Sequence, residues 1–163
     1  MTSLNVILQR METLPPTEVW YYHATGGPCS WFQVSGPEIA QMLAISDANV
    51  TEAVQTIGAL VTYWSQIRAV QQRVLEHFER EEAVWKARQR IGYVKTEAKV
   101  GNKVATKDLQ EDLYRTDPGY VEVKGKCEAA RERLNFVDGI VQGCVAKRDA
   151  LRFWYGSARL QQG

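Results

Sequence analysis

Seven bases, Lys86, Arg88, Arg90, Lys95, Lys99, Lys103 and Lys107, fall within a segment whose one acid is Glu97. Trp85 and Tyr93 lie beside them. Cations that follow phosphates, with rings that stack on bases, are what a sequence-tolerant single-strand binder needs. On a helix, Arg88, Lys95 and Lys99 share one face, and Lys86, Arg90 and Tyr93 share another. The expected contacts to a single strand are therefore Lys86, Arg88, Arg90, Tyr93, Lys95 and Lys99. A rival reading uses the same residues: a solvated helix face whose bases pair with Glu81 or Glu82 and bind nothing.

Other chemistries lack their parts. His23 sits among aromatic residues, and His77 adjoins Phe78 in a helical pattern, so neither is placed as a general base. Glycine pairs occur without the Lys-Ser/Thr or strand-helix context of a phosphate loop or nucleophile elbow. The three cysteines, Cys29, Cys127 and Cys144, are too few and too widely spaced for a disulfide framework or a four-ligand zinc site. The reading is a non-enzyme with no metal and no cofactor.

The charge is divided unevenly along the chain. Residues 1–67 hold one base, Arg10, against five acids, whereas the remaining 96 residues hold 19 bases and 14 acids. Only the second part suits a polyanion. No run approaches the ~20 apolar residues of a membrane span, and the start lacks the pattern of a secretion signal. The expected setting is cytoplasmic.

The elements that position the basic segment follow from periodicity. Leu4, Ile7, Leu8 and Met11 have helical spacing, stopped by Pro15-Pro16. Two aromatic and β-branched runs between Val19 and Val34, parted by Thr25-Gly26-Gly27-Pro28, predict a β-hairpin. Ser35, Pro37 and Glu38 predict a helix entrance. Residues 38–54 read as a helix-turn-helix, and with the hairpin they suggest a winged-helix-like module over residues 1–56. Its second helix offers Asp47, Asn49, Thr51 and Glu52 without a base, which is poor equipment for a DNA groove.

Residues 57–163 form the second predicted domain. Ile57, Leu60, Trp64, Ile67, Gln71, Val74, Phe78, Glu81 and Trp85 keep 3,4 spacing, predicting a long helix that extends toward Lys99. Gly101-Asn102 breaks it, Thr106–Arg115 reads as a short helix, and Asp117-Pro118-Gly119 reads as a turn. A second long helix runs from Val123 to Tyr155, with a stripe wider than one partner helix needs. The fold class expected is mostly α: a helix, β-hairpin and helix-turn-helix module, then a long antiparallel helical hairpin that oligomerises. Leu134, Phe136, Val137, Ile140, Val141, Val145 and Leu151 are the residues assigned to the subunit interface.

The Trp64 helix, the Lys86-Ala87-Arg88 triplet, the basic stretch behind it and the C-terminal helix with Phe136, Lys147-Arg148 and Leu151 together resemble phage recombination mediators of the UvsY type. The resemblance covers roughly residues 50–155 and leaves the N-terminal module as an extension. It implies that Lys86 and Arg88 contact single-stranded DNA. It also implies a ring-like homo-oligomer of six or seven subunits that helps load a RecA-like recombinase onto strands covered by single-strand binding protein, in the cytoplasm of a bacterial host cell. Two other readings stand beside it: a helical interaction or assembly factor that binds no DNA, and a helix-turn-helix transcriptional regulator.

Overall fold

A computed structural model describes residues 4–12, 17–21, 30–46, 48–100 and 117–160, with the side chains of 5, 10–12, 21, 30, 31, 93–100 and 156–160 left aside. The element order is α1 (Leu4–Glu12), β1 (Thr17–Tyr21), β2 (Ser30–Val34), α2 (Gly36–Leu43), α3 (Val50–Val100) and α4 (Pro118–Leu160). The protein is mostly helical, with one small antiparallel sheet and two long packed helices. Among the described residues, no helix is long and apolar enough to cross a membrane. His23, Cys29, the break at Gly101-Asn102 and the helix read at Thr106–Arg115 lie outside the described residues.

Local chemistry accounts for the element ends. Ser35 caps α2 in a reciprocal box: Glu38 N donates to Ser35 Oγ at 3.4 Å and Ser35 N donates to Glu38 Oε2 at 3.3 Å. The Ser35 hydroxyl, which donates to Glu38 Oε2 at 2.6 Å, and then the Ser35 N–H hold the Glu38 carboxyl below its ordinary range. β1 and β2 pair with Val19 opposite Phe32 and Trp20 opposite Trp31. Two readings change. The second helix of the helix-turn-helix is continuous with the long helix, because one exposed glycine, Gly58, costs only about 1 kcal/mol against an apolar stripe running through it. Asp117-Pro118-Gly119 starts α4 instead of turning the chain. Asp117 Oδ1 accepts from Gly119 N at 2.7 Å and Tyr120 N at 3.3 Å, and Pro118 takes the first helical position, where its missing N–H costs nothing.

The chain divides into two compact units. The first comprises Met1–Gln72 and Arg133–Gly163. Its core joins Ile7 of α1, Val19 and Val34 of the hairpin, Ile39 and Leu43 of α2, and Trp64 and Ile67 of α3 to Val137, Ile140 and Cys144 of α4. A smaller cluster of Ala53, Ile57 and Leu151 lies along the same two long helices. The pairings Ile57 with Leu151 and Arg68 with Asp138 show that α3 and α4 run antiparallel here. Gln71 is 1% exposed and serves as a neighbouring strand would: Trp20 N donates to its Oε1 at 3.3 Å, and its Nε2 donates to Trp20 O at 2.5 Å. The indole N–H groups of Trp20 and Trp64 are buried without a partner among the described residues.

The second unit is Arg73–Glu132. Among its described residues, Leu75, Tyr120, Cys127 and Ala130 are the buried apolar ones. Arg131 donates to Glu79 Oε1 at 3.0 Å, and Tyr120 Oη donates to Glu82 Oε1 at 3.3 Å, an antiparallel pairing of α3 with α4 again.

Candidate functional site

The basic segment begins in the second unit with a lysine that is already engaged. Lys86 Nζ lies 2.7 Å from Glu82 Oε1, one helical turn back, and 5.3 Å from the centre of the Tyr120 ring. Trp85 adds its ring 5.3 Å from that of Tyr120. The Lys86 hydrogen bond holds the Glu82 carboxyl below its ordinary range, and the same bond raises the Lys86 amine. Gly119 fits beneath this cluster, since a Cβ there would stand 3.1 Å from Trp85 Nε1.

Arg88 and Arg90 differ from Lys86. Both are exposed and neither makes an ion pair among the described residues. Arg88 follows Lys86 by two residues, about 200° around the helix, so it leaves α3 on the side away from the Glu82–Tyr120 cluster. Ile91, 56% exposed, continues the open surface. The backbone stays helical through Val100, but the side chains of Tyr93, Lys95 and Lys99 are outside the description, as are Lys103 and Lys107.

The residues assigned to a subunit interface lie in the first unit. Leu134, Phe136, Val137, Ile140 and Leu151 are buried within the chain itself, while Val141 and Val145 are half-buried. The wide stripe of α4 has a second layer to cover it, the N-terminal module, as the shared core of Ile7, Val34 and Leu43 with Val137 and Ile140 shows. The large apolar surface left on α4 of this unit is further along: Phe153 is 81% exposed, and Trp154 and Tyr155 follow it.

Lys147 is a role that the sequence did not disclose. It is 5% exposed, and its Nζ donates to Met42 O at 2.7 Å and Ala44 O at 3.2 Å, closing the carbonyl end of α2. Burial pulls its pKa down. Arg148 is half-buried with its Nε 3.4 Å from Asp149 Oδ1. In the turn between α2 and α3, Ser46 N donates to Asn49 Oδ1 at 2.8 Å, and the following surface of α3 presents Thr51, Glu52 and Gln55. His77 is exposed, its Nε2 3.4 Å from Glu81 Oε1. Among the described residues no three His, Cys, Asp or Glu side chains converge to hold a metal ion. Comparison with known proteins finds no matching family model, no matching curated protein and no matching solved structure.

Proposed function

We propose that this chain is a recombination mediator: it binds single-stranded DNA as a homo-oligomer and helps load a RecA-like recombinase onto strands covered by single-strand binding protein. The observation that carries the reading is the pair Arg88 and Arg90, exposed and without ion-pair partners among the described residues at the head of a basic run. Unpaired cations are the ones that exchange their counterions for phosphates. Lys86, held by Glu82 and Tyr120, contributes less to this contact than the resemblance to UvsY-type mediators implies, and acts to brace the helix beside it. Weak sites become useful when an assembly presents several to one strand. The helix-turn-helix is not the DNA contact in this reading, because its second helix presents an acid and uncharged polar groups.

The test is fluorescence anisotropy with unrelated single-stranded oligonucleotides over a salt series. Arg88→Ala combined with Arg90→Ala should lower affinity for every sequence and flatten the log-log salt slope by about 0.7 per lost phosphate contact. Lys86→Ala should change the slope little. An unchanged slope in the double variant would favour the interaction-factor reading, and sequence-dependent duplex binding would favour the regulator.

A further inference from the structure

At the end of the helical pair in the first unit, α3 and α4 leave an open groove of about 370 Å³. Val54, Ile57 and Gly58 form one wall, and Leu151 and Tyr155 form the other. Arg148, engaged by Asp149 at 3.4 Å, and Arg152 stand on the α4 side, and Arg152 is exposed with no ion-pair partner among the described residues. Gly58 widens the groove: a Cβ on it would meet nothing within 4 Å.

We propose that this groove docks an amphipathic helix of a partner protein, with its apolar face on the floor and acidic side chains along the flank facing Arg152. The floor is aliphatic, which suits leucine-like side chains of a helix laid between two helices. Charge complementarity selects the acidic flank and gives the guest one orientation, because the bases lie on one wall only. Between Val50 and Ile67, α3 carries no base, and its single charge is Glu52. That asymmetry disfavours a nucleic acid, whose phosphates would need cations along the track and whose bases would need more ring faces than Tyr155 supplies. The proposal is independent of the DNA-binding reading, since it uses neither Arg88 nor Arg90.

The probe is a fluorescein-labelled helical peptide with leucines at i, i+4 and i+7 and glutamates along one flank, titrated with the full chain. Its twin with lysines replacing the glutamates, and an oligothymidylate, are the comparison ligands. Saturable binding of the acidic peptide should weaken roughly ten-fold in Arg152→Glu, which alters an exposed side chain, and in Gly58→Leu, which fills the groove. Arg88→Ala with Arg90→Ala should leave it unchanged. Equal binding of the lysine twin, displacement by the oligothymidylate that both groove variants abolish, or acidic-peptide binding unaffected by both variants would each overturn the proposal. So would the absence of saturable binding. A smaller mass of the unliganded Gly58→Leu protein by light scattering would show that a second copy fills the groove, and would overturn it as well.

Discussion

Cys144 and Lys147 lie one helical turn apart on α4, and burial acts on them in opposite directions. Cys144 is fully buried, and its thiol is pushed up from 9.0 to about 11. Between these values the unfolded chain has released the thiol proton and the folded chain has kept it, so stability falls as pH rises across that window. Lys147 works in the other sense: its folded pKa lies below 10.5, the unfolded amine binds more protons beneath that value, and its share of stability rises with pH there. Comparing the wild type with Cys144→Ala isolates the thiol. Urea unfolding at about pH 8.5 and 10.5 should show the wild type losing about 2 kcal/mol more than the variant, and parallel losses would contradict the assignment. Lys147→Met keeps most of the stem and removes the donor, leaving the carbonyls of Met42 and Ala44 without it. We expect a loss of about 1–3 kcal/mol at neutral pH, against less than about 0.5 kcal/mol for Lys124→Met on the exposed surface of α4.

The helix and hairpin contacts depend on single residues at close approaches. A Cβ on Gly143 would clash with Leu43 Cδ1 and stand 3.3 Å from Ile7 Cγ2, and Leu43 is fully buried with no space to yield. Gly143→Ala should therefore destabilise by about 1–3 kcal/mol, whereas Gly125→Ala, with nothing within 4 Å of its Cβ, should stabilise by about 0.5–1 kcal/mol; denaturant midpoints read both. Gln71→Leu should cost about 1–3 kcal/mol in the same assay, because Trp20 loses two backbone hydrogen bonds. Much of this architecture is written in local pattern. Ser35, Pro37 and Glu38 announce the start of α2, aromatic and β-branched runs announce the hairpin, and 3,4 spacing announces the long helices. What escaped is what depends on partners remote in sequence. Gln71 reads as one polar lapse in an apolar stripe until Trp20, 51 positions away, supplies its partner. Lys147 is one base of the Lys147-Arg148 pair, and nothing near it in sequence announces that the end of α2 meets it. Likewise, the width of the α4 stripe reads as a subunit interface because periodicity measures a face and does not name what covers it. At the candidate site, the type of chemistry was legible in the run of bases, but not the division between the engaged Lys86 and the open Arg88 and Arg90.

For the molecule as a whole, the proposed assembly must use surface that the single chain leaves uncovered. Among the described residues, Phe153, at 81% exposure on the side of α4 away from Leu151, is the apolar residue with the most to gain. Light scattering at micromolar concentration should give a mass several times that of one chain, and Phe153→Ser should shift it toward one chain without loss of helicity; a wild-type monomer would end the homo-oligomer reading. The first unit has a further consequence, which concerns its synthesis. It is discontinuous: Met1–Gln72 must wait for Arg133–Gly163 before its core can close. A ribosome adding about 5–20 residues per second needs several seconds to cross the gap. Through that interval the strands bearing Trp20 and Phe32 lack the floor of Val137 and Ile140, and an isolated two-stranded hairpin is marginal in water. A nascent chain arrested with Glu132 just outside the exit tunnel should therefore be cut by protease within β1 and β2, whereas one arrested with Gly163 outside should resist.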